Sequence, residues 1–265
     1  MPEGDTLHRT ANGLAPNLVG RAVSAARARA GGPQVQRVVG ATITSVEAIG
    51  KNLLIRFDNG LELRTHLRMN GSWHRYRPGE RWRRPPSAAR LVLEVPGAVA
   101  VCFDAPVVEL FETRAEAIHP TIARLGPDLL DDGWGAEHEA EARRRLRDPA
   151  RDGVTISEAL LDQRALAGIG NIWRNETLFH ERVEPWTRVA DLDAATLDRL
   201  IARARLLLRA SVGEAPGRAP MWVYRRTGRP CRRCGTLIRS ALLTTTVPRT
   251  TFWCPSCQRQ PEPAP

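Results

Sequence analysis

Near the N-terminus, Leu7, Ala11, Leu14 and Leu18 recur three or four residues apart, the spacing of one face of an α-helix, and predict a first helix. The period then changes. Roughly residues 34 to 111 read as strands: QVQRVVGATITSVEAIG is rich in β-branched residues, LLIRF and LELRT flank the turn DNG, and RLVLEV and AVAVCF flank the turn PG. Hairpins of this kind predict an antiparallel β domain. Between them, YRPGERWRRPPSAAR is basic and proline-rich and is expected to be an irregular, solvated loop.

Helical patterning returns from about residue 120, beginning at GPDLL. EHEAEARRRLRD sets Glu139 four residues before Arg143 and Glu141 four before Arg145, the signature of a solvated helical face. TISEALLDQRAL is amphipathic, with Ile156, Leu160 and Gln163 on one side; AGIG interrupts it, and NIWRNETLFHERV resumes as helix. A further helix, DAATLDRLIARARLLLRASVG, aligns Leu197, Leu200, Ile201, Ala204, Leu207 and Leu208 in one apolar stripe and so predicts a second core. From Met221 the composition shifts again, to arginines, threonines and paired cysteines, and the tail QPEPAP is expected to be disordered. The fold class is therefore α+β multidomain, with divisions expected at 1–115, 116–220 and 221–262.

Charge narrows the partner. The 265 residues carry 39 basic against 29 acidic side chains, a net charge of +10, which favours a polyanion, nucleic acid ahead of an anionic membrane. No apolar run approaches the roughly 20 residues that span a bilayer, and no basic-then-apolar signal opens the chain. A soluble, intracellular protein with no membrane partner is expected. One lysine, Lys51, stands among the 39 basic residues, leaving 38 arginines. Lysine can give up its proton where arginine cannot, so the exception invites a chemical role, against the alternative of a residual surface lysine.

CRRC at 231–234 and CPSC at 254–257 are nineteen residues apart, the spacing of a four-cysteine zinc ribbon. Cys231, Cys234, Cys254 and Cys257 would close a tetrahedron around one structural zinc with no position left open for chemistry. A redox dithiol is the competing idea. Cys102, in AVAVCF, reads as a buried core thiol. Between the pairs, TTTVPRTTFW is strand-like and sets Arg249 near its turn, suited to a phosphate or simply exposed on a hairpin. AGIGN combines two glycines with Asn171 at a helix start, where unpaired N–H groups can hold phosphate, although glycines are common in any helix-turn-helix connection. The opening MPEG is ambiguous in the same way. Proline and acid suit any first helical turn, but without the initiator methionine Pro2 would present a secondary amine beside the Glu3 carboxylate.

Taken in chain order, MPEG, GKNLL around Lys51, HLRMNG at 66–71, LGPDLL at 125–130, LDQRALAGIGNIWRNE at 161–176 and PRTTFWCPSCQ at 248–258 resemble the formamidopyrimidine-DNA glycosylase and endonuclease VIII family. The matches run from residue 2 to 258, nearly the whole chain. The resemblance implies an N-terminal helix plus antiparallel β-sandwich, a helical helix-two-turn-helix domain and a C-terminal four-cysteine zinc finger acting on double-stranded DNA that carries a damaged base or abasic site. It implies that Pro2 attacks the sugar as the base leaves, that Glu3 donates a proton, that Lys51 serves proton transfer and phosphate contact in the lyase stage, and that Arg249 clamps phosphate. His66, Arg124 and Asn171 match residues that contact DNA, and Met69 matches the side chain that fills the gap left by an extruded nucleotide. A packed strand histidine is the other reading of His66.

There are departures. Where the formamidopyrimidine branch carries an arginine and a phenylalanine that probe the opposite base, this chain reads FDAPVVELF and has neither at the matching places. MPEG leans to the endonuclease VIII branch, whereas Met69 is more typical of the other. Oxidised pyrimidines are the expected substrates. The alternatives are a purine-preferring glycosylase, an enzyme that acts mainly on abasic sites, and a non-catalytic binder of damaged or single-stranded DNA. The arginines of the 76–89 loop are a further candidate DNA contact.

Overall fold

A computed structural model describes residues 2–213, 220–243 and 248–259. The chain divides into two compact units, 1–124 and 125–265. The tail QPEPAP and the TTTV stretch ahead of Pro248 lie outside the described residues.

The first unit opens with helix α1 (Gly4–Leu18), followed by strands β1 (Ala25–Ala28), β2 (Ile43–Ile49), β3 (Asn52–Phe57), β4 (Leu61–His66), β5 (Ser72–Tyr76), β6 (Ala89–Val95), β7 (Ala98–Phe103) and β8 (Val107–Glu112). They form two four-stranded sheets, ordered β1-β6-β7-β5 and β2-β3-β4-β8, with every pairing antiparallel. Both expected hairpins are present, β3–β4 around DNG and β6–β7 around PG. The two sheets enclose one core. Leu53, Ile55 and Leu63 meet Leu91, Leu93, Ala100 and Cys102, and Leu7, Ala11, Leu14 and Leu18 of α1 join the same cluster. Cys102 is fully buried as a core thiol, and burial raises its pKa. Each fully buried leucine contributes roughly 1.5–3 kcal/mol, so the α1 stripe holds the N-terminus firmly.

Strand β7 is buried on both faces. Ala98, Ala100 and Cys102 point into the sandwich, while Val99, Val101 and Phe103 alternate outward into a second apolar cluster with Tyr76 and Val92. The 76–90 segment covers that outer face. Its backbone is irregular, as expected, but Trp82 is packed rather than solvated, stacked on Tyr76 at 6.1 Å and edge-on to Phe103 at 5.8 Å.

Two β expectations change. Val35–Val38 is a 3₁₀ turn rather than the start of a strand, because Val35 and Val38, three residues apart, both enter the core. The short strand β1, AARA, had no β-branched residue to announce it.

The second unit contains α2 (Ala136–Leu146), the single turn α3 (Ile156–Ala159), α4 (Asn171–His180), α5 (Ala194–Gly213), and the paired strands β9 (Arg239–Leu243) and β10 (Arg249–Trp253). Leu197, Leu200, Ile201, Ala204 and Leu208 of α5 form the expected stripe and pack with Leu146, Ile156, Leu166 and Leu178. The 155–166 segment is not one amphipathic helix. A Thr155/Glu158 capping box starts α3, and Asp162 then accepts the Arg164 N–H in a turn that ends it. Gln163 sits on no helical face. Its amide donates to the Leu161 and Ile169 carbonyls and its oxygen accepts the Gly168 N–H, so it pins the AGIG turn. On α2 the Glu141–Arg145 pair forms at 2.6 Å, but Arg143 turns to Asp198 instead of Glu139. No helix among the described residues is long and apolar enough to cross a membrane.

Candidate active site and nucleic-acid interface

Glu3 is the N-cap of α1, and its carbonyl accepts the Thr6 and Leu7 N–H groups. Its carboxylate does not cap the helix, yet it is 1 % exposed. That separates Glu3 from an ordinary helix start, where an acid serves its own first turn in water. Pro2 precedes it, half-buried.

The other end of α1 is tied to β2, with Gly20 donating to the Ile43 carbonyl and Ile43 donating to that of Arg21. The helix packs along β2. Fifteen helical residues span about 22 Å, close to the length of a seven-residue strand, so Pro2 and Glu3 lie toward the far end of β2. That end is the β2–β3 turn. Ile49 pairs with Asn52 across a two-residue loop of Gly50 and Lys51, with Gly50 at φ 59°, the left-handed geometry that a type II′ turn requires at its first position. The lone lysine is therefore at a tight hairpin tip on the α1 N-terminal side.

Asn52 anchors that tip. Its amide donates to the Ile49 carbonyl at 3.1 Å, and its oxygen accepts Nε of the buried Arg64 at 2.9 Å. Arg64 also pairs with Glu109, which lies 3.3 Å from His119. This network was not evident from the sequence, since it joins residues on β3, β4, β8 and the turn beyond.

His66 is the register partner of Asn52. Burial, then Arg68, Arg64 and Lys51, push its pKa down to about 4, so it is neutral near pH 7. Nδ1 accepts the Arg68 N–H at 3.1 Å, which assigns the proton to Nε2 and leaves that edge as a donor. The same bond shapes the turn 67–70, where Leu67 is buried, Arg68 has φ 50° and Met69 is 53 % exposed. Gly71 closes it: a Cβ there would lie 2.6 Å from the Leu67 carbonyl oxygen. An exposed methionine on a tightly specified turn has the chemistry that an apolar wedge would need. Arg124 is exposed at the end of the 3₁₀ turn Ile122–Arg124.

In the second unit, Asn171 opens α4, but its side chain is 6 % exposed and donates to the Thr250 carbonyl at 3.1 Å. It fastens β10 next to Arg249 instead of reaching outward. Arg174, fully buried, donates to the same carbonyl at 3.3 Å and to Thr251 Oγ1 at 3.0 Å. Asn175 accepts the Phe252 N–H, and Glu176 accepts those of Trp222, Val223 and Tyr224. The run NIWRNE thus docks the C-terminal hairpin by its backbone. Arg249 is half-buried, and its guanidinium donates to the Pro248 carbonyl at 3.2 Å.

Cys231, Cys234, Cys254 and Cys257 converge, their sulfurs all within 4.8 Å of one another. Two of the separations are 3.9 Å and 3.5 Å. A tetrahedron with zinc–sulfur bonds of about 2.3 Å has sulfurs about 3.8 Å apart, whereas a disulfide brings them to about 2 Å. The four sulfurs form no disulfide and are spaced as ligands of one metal ion would be.

Two domain families match this chain: the formamidopyrimidine-DNA glycosylase N-terminal domain over residues 1–106 and the H2TH domain of the same enzymes over 125–218. A probable endonuclease 8 2 of Streptomyces coelicolor is 38 % identical over 100 % of this chain and 96 % of its own length. The chain belongs to the formamidopyrimidine-DNA glycosylase/endonuclease VIII family. A DNA-(apurinic or apyrimidinic site) lyase Nei2 of Mycolicibacterium smegmatis is 35 % identical over 97 % of this chain and 99 % of its own. The relatives are named for the endonuclease VIII branch, as MPEG suggested. The fold of a formamidopyrimidine-DNA glycosylase from Lactococcus lactis, solved with abasic-site DNA, superposes with a TM-score of 0.83 at 22 % identity, covering 97 % of this chain and 100 % of that one. The expected architecture of sandwich, H2TH helices and four-cysteine finger is that of the family.

Proposed function

We infer that this family member is a DNA glycosylase and AP lyase of base excision repair, a reading carried by full-length similarity to endonuclease 8 proteins and an AP lyase. We propose the finer chemistry as follows. After removal of Met1, the Pro2 amine, near pKa 8 for an α-amine and so partly unprotonated at pH 7, attacks C1′ of the damaged nucleotide. The base leaves with the glycosidic electron pair, and Glu3 supplies the proton that opens the sugar, giving a Pro2 iminium. Loss of a C2′ proton expels the 3′ phosphate. A second elimination expels the 5′ phosphate, and hydrolysis of the remaining conjugated iminium frees Pro2. Lys51 moves protons and contacts phosphate in these eliminations, and Arg249 holds the phosphate that departs.

His66, Arg124, Met69 and Asn171 serve duplex DNA, Asn171 through the strand it fastens. Oxidised pyrimidines are the proposed lesions. The protein works as a monomer in the bacterial cytoplasm at the nucleoid, with divisions at 1–115, 116–220 and 221–262. One zinc ion on the four cysteines stabilises the finger and takes no part in bond making. The buried, non-capping Glu3 beside Pro2 is the observation that favours catalysis over passive binding.

Borohydride reduction of the mixture with damaged duplex tests this directly. A covalent protein–DNA adduct is expected from the processed chain and none when one residue is fused ahead of Pro2; an adduct that survives the fusion rejects Pro2 as nucleophile. Release of only 8-oxoguanine from a lesion panel rejects the pyrimidine assignment.

A further inference from the structure

The 77–88 loop is longer and more basic than a β5–β6 connection requires, and its aromatic residue is spent inward. Trp82 covers Tyr76 and Phe103, and the Arg83 N–H donates to the Tyr76 hydroxyl at 3.1 Å. That hydroxyl lies 2.9 Å from Nδ1 of His74, to which it can donate, since burial, Arg84 and Arg83 lower the His74 pKa and keep it neutral. The loop is thus seated at a fixed height on the outer sheet face.

Two residues beyond Trp82, Arg84 turns toward the sheet edge. One nitrogen donates to the Asn70 carbonyl at 3.2 Å and to Ser72 Oγ at 3.0 Å. The other pairs with the Asp104 carboxylate, and the guanidinium lies over the Phe103 ring at 5.8 Å. Asn70 follows Met69 in the wedge turn. Asp104, at φ 48°, begins the three-residue connection 104–106 between β7 and β8. A single planar side chain therefore grips the turn that carries Met69 and the connection between β7 and β8.

We propose that Arg84 is a positioning residue for the wedge: it holds the Met69 turn at a set distance from the Asp104 connection, with the 77–88 loop as its mounting. The inference rests on Met69 filling the gap in duplex DNA. Lysine could not replace it fully, because one ammonium lacks the planar fork that reaches a carbonyl, a hydroxyl and a carboxylate together. The arginine acts through Met69, so its effect belongs to substrates that have a stack to fill.

The experiment uses the full chain and compares nicking of an abasic duplex with nicking of an abasic single strand, where no gap needs filling. Arg84→Ala and Met69→Ala are each expected to slow duplex nicking about tenfold, the scale of a misplaced contact. The double variant is expected within about twofold of Met69→Ala, because the two act as one unit. Single-strand nicking by Arg84→Ala stays within about twofold of the parent, and Arg84→Lys recovers part of the duplex rate. Arg84→Gln is judged by the same criteria if the alanine variant does not fold. Multiplicative losses in the double variant, or equal losses on single strand and duplex, overturn the inference. Slow Met69→Ala with an unaffected Arg84→Ala overturns the brace alone; an unaffected Met69→Ala removes the wedge reading and the inference with it.

Discussion

Helices α1 and α4 both begin without a side-chain cap, and the two ends are used differently. At α1 Glu3 is buried without capping its helix by its side chain, next to Pro2 and on the side of the Lys51 turn. At α4 the N-cap is Gly170, and Asn171 sends its amide to the Thr250 carbonyl, beside Arg249. An ordinary helix spends its first polar side chain on its own unpaired N–H groups. Each of these departs from that habit, one burying an acid beside Pro2 and the other fastening a strand. The first end is chemical in composition and the second is mechanical.

The largest test of this contrast is the metal. A structural zinc contributes on the order of 10 kcal/mol to a small domain, so Cys254→Ser or a strong chelator is expected to release the ion and unfold the finger. DNA retention in a filter or mobility assay should then collapse, while the melting transition of the first unit persists. Metal analysis well below one zinc per folded parent chain would refute the site.

Next in size is the acid. Glu3→Gln is expected to slow base release by about 10²- to 10⁴-fold in single-turnover assays while DNA affinity changes little. Equal losses in rate and affinity would make Glu3 a structural residue and erase the distinction between the two helix ends.

The histidine of the first unit gives a smaller effect with a definite sign. The folded pKa of His66, about 4, lies below its ordinary 6.5, so the unfolded chain binds the extra proton. Its contribution is full above pH 6.5, is lost as pH falls from 6.5 to 4, and is constant below that. The size is about 3 kcal/mol at most. Burial of Glu62 raises its carboxyl pKa and works in the opposite direction over part of this range, so the measurement is the difference between parent and His66→Gln in denaturant melts from pH 7 to 4. A difference independent of pH would reject a neutral, buried His66.

The smallest effect is at the mechanical end. Asn171→Ala removes a side-chain donor to the Thr250 carbonyl and should cost about 1–3 kcal/mol, read as faster zinc loss to a chelator, with Pro2 trapping on abasic DNA retained once bound. Loss of trapping with the finger intact would show Asn171 to be part of the chemistry.

How far the molecule was legible follows from how local each feature is. The cysteine spacing, the α5 stripe and the DNG and PG hairpins are written in neighbouring residues, and they stand as expected. Gln163 was read as one face of a helix because its role, closing a turn five and six residues on, leaves no periodic trace. Arg143 was assigned to Glu139 by spacing, but a tertiary carboxylate on α5 won. Arg84 lay in a loop read as solvated. Nothing in RWRRPP tells which arginine crosses to Asn70 and Asp104 and which stays in water, because the choice is made by Trp82 landing on Tyr76 and Phe103. Asn171 was identified by motif, yet its direct partner is the Thr250 carbonyl, a contact across 79 residues.

The hairpin tip at Gly50 and Lys51 has a practical consequence. With one lysine in 265 residues, growth on isotopically labelled lysine would mark a single side chain in the whole protein. Its nitrogen resonance would need no assignment. Titrating that signal, alone and with an abasic duplex, would report the protonation state of the hairpin tip and its approach to a sugar-phosphate backbone from one peak.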